Sequence, residues 1–457
     1  LLEEVCALVE WPRAILGTFD EEFLSLPEEV VTSAMQDHQK YFPLRDNSGK
    51  LVNAFVTIAN IESKHENLIK KGNERVIRPR LEDAKFFYTQ DQKVRLLERY
   101  ENLSGIIFER RLGNLLEKSE RIKEISSFAC DGFGAQKHLC SLASKASRCD
   151  LTTDMVREFP NLQGIMGASY ASLDLDAAPI SEAIRYFYHP RFANDTLPPT
   201  NEGQCLAFAD KLDTVVGICG VGLKPTGDKD PFGLRRAAIG LIRILVENNV
   251  DISLLPVINE AVRGYKDVKM SEETSDTASK FILDRMRGYL IDKNISPLAC
   301  EAGISSGSLS PVDIFSRASA LEIFFKSGES KDLIVANKRI VNILRKNQVS
   351  KDSNIIRRDL LKAEPEIALA DHYDYLAAKI EEFYIKKEYR KYLIEIASFR
   401  IFVDNFFDNV QVITQDKEIT NNRLALLNQL NNIFGRVGDL TLLSQPKSKV
   451  RHATSDS

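Results

Sequence analysis

A chain of 457 residues, 44% hydrophobic and 28% charged, has the make-up of an ordinary globular protein of roughly two to four domains. Its formal net charge of −4 excludes a surface coated throughout with cations, but not a cationic face. No apolar run approaches the ~20 residues of a membrane span, and the seven scattered cysteines include no CxxC pair, which argues against a disulfide framework or a structural zinc site and for a reducing cytoplasm.

The start, Leu-Leu-Glu-Glu-Val, has neither Met nor a basic-then-apolar leader, and reads as mid-protein sequence from a fragment or processed chain. Residues 1–100 look mixed α/β. Leu51–Ile61 alternates Val52, Ala54, Val56 and Ile58 against Asn53, Thr57 and Asn60, which predicts a strand. Ser48-Gly49-Lys50 predicts a turn joining it to Tyr41–Leu44 in a hairpin, and a helix is expected through Val76–Phe87.

Residues 101–250 read as a helical bundle. Leu112, Leu115, Leu116, Ile122 and Ile125 recur at helix spacing, while Pro160, Pro179, Pro190 and Leu197–Thr200 interrupt. Residues 251–330 predict two or three connecting helices with an exposed polar link at Ser271–Thr277, and Gly303–Pro311 reads as a boundary. Residues 331–457 are again helical. Ile340, Ile343 and Leu344, then Leu376, Ile380 and Phe383, then Leu424, Leu427, Leu430 and Ile433 form periodic faces before a polar, disordered tail at Gln445–Ser457. There is no internal repeat.

The chain has no phosphate-loop motif, no GxGxxG, no GxSxG and no HExxH, and its six scattered histidines anchor no triad. His38 and His189 read as hydrogen-bonded surface or cap residues. Asp150, Asp210 and Asp213 within a helical bundle suggest the layout of HD-type metal phosphohydrolases, but Cys149 stands where the adjacent histidine would be, so the metal site reads as dismantled. Two basic clusters, Lys70, Lys71, Arg75, Arg78 and Arg80, and Lys386, Lys387, Arg390 and Lys391 among Tyr384, Tyr389 and Tyr392, suit either RNA contact or a solvated helix face. In the loop 222–236, Asp230 reads as an N-cap with Pro231 in the first helical position. There Lys224, Lys229, Arg235 and Arg236 are candidates for a phosphate; Arg235 and Arg236 could equally pair with Asp213 or Asp228.

The wording of several stretches, in order along nearly the whole chain, resembles the β subunit of bacterial heterotetrameric glycyl-tRNA synthetase. They include Val9-Glu10-Trp11-Pro12, Gly17-Thr18-Phe19-Asp20, His38-Gln39-Lys40-Tyr41-Phe42, Gly72-Asn73-Glu74-Arg75-Val76, Arg80–Phe87, Leu162–Gly167, Gly227–Arg236, Phe406–Val410 and Asn422–Leu427. The resemblance implies a chain truncated at its N-terminus. It implies a multidomain, mainly α fold: an α/β B3/B4-like portion (1–100), an HD-like helical bundle (101–250), a helical connecting domain (251–330) and a helical DALR-type anticodon-binding domain (331–457).

It further implies a part of a glycine–tRNA ligase that positions tRNA(Gly) for the α subunit of an α2β2 complex in the cytoplasm, with no DNA or membrane partner. ATP and Mg would be used by the α subunit. No catalytic residue, metal ligand or cofactor is expected in this chain. Lys338, Arg339, Asn409, Asn422 and Arg423 stand in the C-terminal stretches as further tRNA-contact candidates, Arg423 with the alternative of an ion pair to Asp408 or Asp416. The family pattern carries a basic residue near Thr420, and Thr420 and its immediate neighbours Ile419 and Asn421 are not basic, which is a departure from it. Two other readings remain: an HD-type metal-dependent phosphohydrolase, and a non-enzymatic helical scaffold for RNA or for protein.

Overall fold

A computed structural model describes the chain except for residues 176, 224–229, 329, 350–354 and 445–457 and the side chains of His38 and Ser444. Lys224, Lys229, Asp228 and the tail Gln445–Ser457 therefore lie outside the described residues. The fold is multidomain and mainly α, with a small α/β part at its start. Contacts divide it into two compact units, residues 1–244 with 257–275, and 245–256 with 276–457.

The first unit opens on an antiparallel sheet in the order β1–β3–β2, where β1 is Arg13–Thr18, β2 is Phe42–Arg45 and β3 is Leu51–Ala59. β2 and β3 form the expected hairpin. Its turn is set by Asp46, whose carboxylate accepts from the Ser48 N–H at 2.9 Å and the Lys50 N–H at 3.0 Å. Ile15, Leu51 and Phe55 are buried. Gly17 lies opposite Phe55, and a Cβ there would sit 2.4 Å from the ring.

The helix expected from Val76 begins ten residues earlier, at Glu66, and runs to Asp91. Tertiary bonds hold its polar first turns: Glu74 accepts from the Thr18 N–H and hydroxyl at 2.9 Å, and Tyr41 donates to Asn73 at 2.7 Å. Behind it, helices Leu115–Phe133 and Lys137–Ala146 pack around Asn201–Gly220, which is buried along almost its whole length. Asn114 and Glu117 form a capping box on the first, and the Thr200 hydroxyl caps the last at 3.1 Å. In the expected exposed link Ser271–Thr277, Ser271, Glu272 and Glu273 are exposed, and helix Thr274–Asp292 begins within it at Thr274, which is buried near Gly220.

The second unit is all-helical, with Pro311–Lys326, Ser330–Lys346, Glu364–Ile385, Tyr389–Ala397, Phe399–Asn409 and Lys417–Gly435 as its main elements. The predicted faces supply its core: Ile340, Leu344, Leu376, Ile380, Leu427 and Leu430 are buried.

Gly17→Ala must displace the Phe55 ring, which stacks on Tyr41 at 4.6 Å. We expect a loss of about 1–3 kcal/mol, read as a lower urea midpoint at unchanged m-value.

Candidate functional site

Three acidic residues named from the sequence, Asp150, Asp210 and Asp213, lie in the interior of the first unit. Asp210 and Asp213 lie one helical turn apart on Asn201–Gly220, and both meet cations from neighbouring segments. Lys118 Nζ lies 2.8 Å from Asp213 and 3.2 Å from Asp210, Arg121 Nε donates to Asp213 at 2.7 Å, and Arg148 pairs with Asp210. Burial alone would raise both carboxyls, but Arg148 and Lys118 around Asp210, and Lys118 and Arg121 around Asp213, hold them well below the usual range.

Aromatic faces back each cation: Phe108 for Lys118, Tyr265 for Arg121 at 4.0 Å, and Phe187 for Arg148 at 4.5 Å. A divalent cation placed between Asp210 and Asp213 would thus face three side-chain cations already in contact with those oxygens. Burial also pushes Lys211 down to about 8 as it donates to the His189 carbonyl at 2.8 Å.

Asp150 is separate. One carboxylate oxygen accepts from the Gly164 and Gly167 N–H groups at 2.6 and 3.0 Å, and the other has no partner among the described residues. Burial raises its pKa to about 6 against those hydrogen bonds. His189 has the hydrogen-bonded role expected of it, with Nδ1 3.1 Å from the Thr196 hydroxyl.

The sequence reading missed Lys118 and Arg121 as partners. The signal was there: Lys118 falls three residues after Leu115 and four before Ile122, on the helix's apolar face, where only a paired charge can be buried.

Of the basic candidates in the first unit, Arg235 and Arg236 open helix Leu234–Glu247. Asp230 does cap it, accepting from the Leu234 and Arg235 N–H groups at 2.8 and 2.9 Å, but Pro231 is not its first residue, because Gly233 turns into the left-handed region at φ 64°. The helix thus begins with its own carboxylate at the amides. Arg236 is exposed and Arg235 half-buried. In the cluster at 70–80, Arg78 pairs with Asp20 and Arg80 with Glu158, while Lys71 and Arg75 are exposed with no partner among the described residues.

In the second unit, Arg423 donates to Glu366, which is fully buried, and to the Gln411 carbonyl at 2.7 Å. It does have an intradomain ion pair, with Glu366 rather than Asp408 or Asp416. Asn422 is buried and brackets the Arg357 backbone, accepting at 2.7 Å and donating at 3.0 Å. Asn409 donates to the Asn405 carbonyl at 3.0 Å. Lys338 and Arg339 lie on Ser330–Lys346, Arg339 exposed and 4.1 Å from the Phe407 ring. The tyrosines interleaved with the second basic cluster turn inward. Tyr389 and Tyr392 are buried, and Tyr384 lies between Arg317 and Arg436.

The C-terminal helices define the class: residues 333–447 match the model described as DALR anticodon binding domain. Residues 1–305 match the model described as Glycyl-tRNA synthetase beta subunit, and the chain belongs to that family. It is 40% identical over 444 residues to the glycine–tRNA ligase beta subunit of Coxiella burnetii, 42% over 445 to that of Colwellia psychrerythraea and 41% over 443 to that of Klebsiella pneumoniae. Each match covers 97% of this chain and 64% of the relative, so the chain spans just under two thirds of the length of these curated relatives.

Two outcomes follow from the geometry. Because the Asp150 pKa is raised from 3.8 to about 6, the folded state holds a proton that the unfolded chain has lost, and this contribution to stability disappears as pH rises through about 6. Asp150→Asn keeps an acceptor for the two glycine amides and has no charge to bury, so its stability relative to wild type should grow between pH 4 and pH 8, by about 2 kcal/mol in urea titrations and mostly below pH 6. Arg423→Ala leaves the Glu366 carboxylate buried without its cation and should cost about 3–5 kcal/mol, read as a fall in thermal midpoint.

Proposed function

We propose that this chain is the tRNA-binding part of a glycyl-tRNA synthetase β subunit. It would hold tRNA(Gly) so that the acceptor end reaches an α subunit, which would use ATP and Mg to make glycyl-adenylate; the assembly would be α2β2 and cytoplasmic. The four segments 1–100, 101–250, 251–330 and 331–457 are our division of its domains. The work done here is electrostatic and positional: phosphate contacts set register, and contacts to unpaired bases give specificity.

One observation carries the reading. Helix Ser330–Lys346, at the start of the DALR domain, carries Lys331, Lys338, Arg339, Arg345 and Lys346 against a single acid, Asp332, which pairs with Arg400. None of its five cations is in an ion pair among the described residues. Elsewhere in this unit cations are mostly matched: Lys379, Lys386, Lys391 and Arg436 each meet a carboxylate. An amphipathic helix with an apolar inner face and an unmatched cationic outer face suits a phosphate backbone, where each contact releases counterions. Lys338 and Arg339 therefore stand as tRNA contacts, joined by Lys331, Arg345 and Lys346, which the sequence reading did not name. Lys224, Lys229, Arg235, Arg236, Asn409, Asn422 and Arg423 remain weaker proposals, the last two because their polar atoms are engaged within the domain.

Binding of tRNA(Gly) to the chain should weaken steeply with salt. Lys338→Ala and Lys346→Ala should each weaken it roughly three- to tenfold and lower the slope of log K against log salt by about 0.7–0.9. Glycylation with added α subunit should fall in step at sub-saturating tRNA. Salt-independent binding, or lysine variants equal to wild type, would overturn the reading.

A further inference from the structure

In the second unit, helix Pro311–Lys326 and the turn leading into helix Tyr389–Ala397 leave a cleft of about 360 Å³ between them. Its floor is apolar. Ala320 and Ile323 come from one helix, Ile323 with 48% of its surface open, and Tyr389 closes the inner side. Its lip is cationic, formed by Lys387, Arg390 and Lys391 against one carboxylate, Glu388.

The three cations differ in how far they are occupied. Lys391 pairs with Glu388 at 2.9 Å, and Lys387 reaches Asp251. Arg390 is exposed and has no hydrogen-bond or ion-pair partner among the described residues. Lys387 also holds a left-handed backbone, φ 55°, at the end of helix Glu364–Ile385, a place where glycine would be unstrained. The backbone thus carries a lysine at this lip where glycine would fit better.

We propose that this cleft receives one unstacked nucleotide of a single-stranded RNA segment, with its base on the Ala320–Ile323 floor and its phosphate on Arg390. The cleft is shallow and open to solvent, so it could seat one flat group against its floor without enclosing it. The floor is aliphatic, with Tyr389 buried behind it, so a base would rest there by apolar contact while its phosphate met the Arg390 guanidinium at the mouth. With Lys391 matched by Glu388, and Lys387 by Asp251 with Asp313 at 4.0 Å, Arg390 is the lip cation left to meet an anion. The inference rests on the reading of this chain as a tRNA binder and adds a location to it, distinct from the cationic helix Ser330–Lys346.

The test compares tRNA(Gly) binding by the full chain and three variants, with thermal midpoints measured alongside. Arg390→Ala removes the phosphate contact. Ile323→Ser strips the floor without changing charge. Lys387→Gly removes a cation and relieves the left-handed backbone, so its midpoint should hold or rise. Arg390→Ala and Ile323→Ser should each weaken binding roughly tenfold at wild-type midpoints. A blunt-ended, fully paired RNA duplex should bind wild type and Ile323→Ser alike, because a stacked base does not enter the cleft. If wild type binds tRNA(Gly) and Lys338→Ala weakens it, yet Arg390→Ala and Ile323→Ser bind as wild type, the cleft inference is overturned and the broader reading stands. Loss of α-subunit binding by these variants with tRNA binding intact would also overturn it, in favour of a protein ligand. If wild type itself fails to bind tRNA, the broader reading falls with it.

Discussion

Burial of Asp210 and Asp213 is the constraint on which the first unit depends. Two carboxylates on a helix with almost no solvent contact are tolerable only if cations follow them inside, and Lys118, Arg121 and Arg148 do so. A buried pair of this kind adds little net stability compared with an apolar core, but removing one partner is costly, so the set behaves as a lock on register. Lys118 and Arg121 reach across from Leu115–Phe133 and fix that helix against Asn201–Gly220. The Tyr265 hydroxyl then donates to the Asp213 carbonyl at 2.9 Å, and a Cβ on Gly217 would lie 2.1 Å from that hydroxyl. The interior therefore specifies a small residue at 217 and a ring at 265 as a consequence of two acids.

The same solution recurs in the second unit with the signs exchanged. Here a buried arginine is the charge to be matched. Arg317 donates to Asp313 at 2.7 Å, lies 4.5 Å from the Tyr389 ring, and is separated by Tyr384 from Arg436, which in turn meets Glu381. Tyr389 also donates to Asp313, which draws the turn 386–391 towards helix Pro311–Lys326. In both units these buried charges are matched by ion-pair partners. Cations left unmatched, such as those on Ser330–Lys346, are therefore a surface property and not a remnant of core pairing.

The elements were readable where one periodicity dominates. The strand ending at Ala59 and the inner faces around Ile340, Leu376 and Leu427 follow from alternation and helical spacing alone. What escaped were long-range decisions. Nothing local starts a helix at Glu66, because its first turns are held by Thr18 and Tyr41, through pairs 56 and 32 residues apart in the chain. The aromatic-and-basic run at 384–392 has the lettering of an RNA surface, yet helix phase turns Tyr389 and Tyr392 inward while Arg390 faces solvent. Arg423 was legible as a residue with a specific job, but its partner, Glu366, lies 57 positions away, and pairing at that range is a product of the fold. Cys149 was read as the sign of a dismantled HD layout; that Lys118, Arg121 and Arg148 surround Asp210 and Asp213 was not read, since charged residues on an apolar helix face are usually taken as noise in the pattern.

Net charge gives these local arrangements their consequence. A body at −4 offers a polyanion no attraction at long range, and at physiological salt fields between exposed charges fade within about 8 Å. Any contact with nucleic acid must then be made at close quarters by faces whose cations are not already committed. Lys71 and Arg75 in the first unit, and Lys331, Lys338, Arg345, Lys346 and Arg390 in the second, meet that condition among the described residues, whereas Arg78, Arg80 and Arg423 do not. Pairing status, more than the count of basic residues, is what separates a binding face from a solvated one in this chain. By that criterion the proposed contact with tRNA would fall on helix Ser330–Lys346, which gathers four such cations among the described residues on one element with its apolar side anchored in the core.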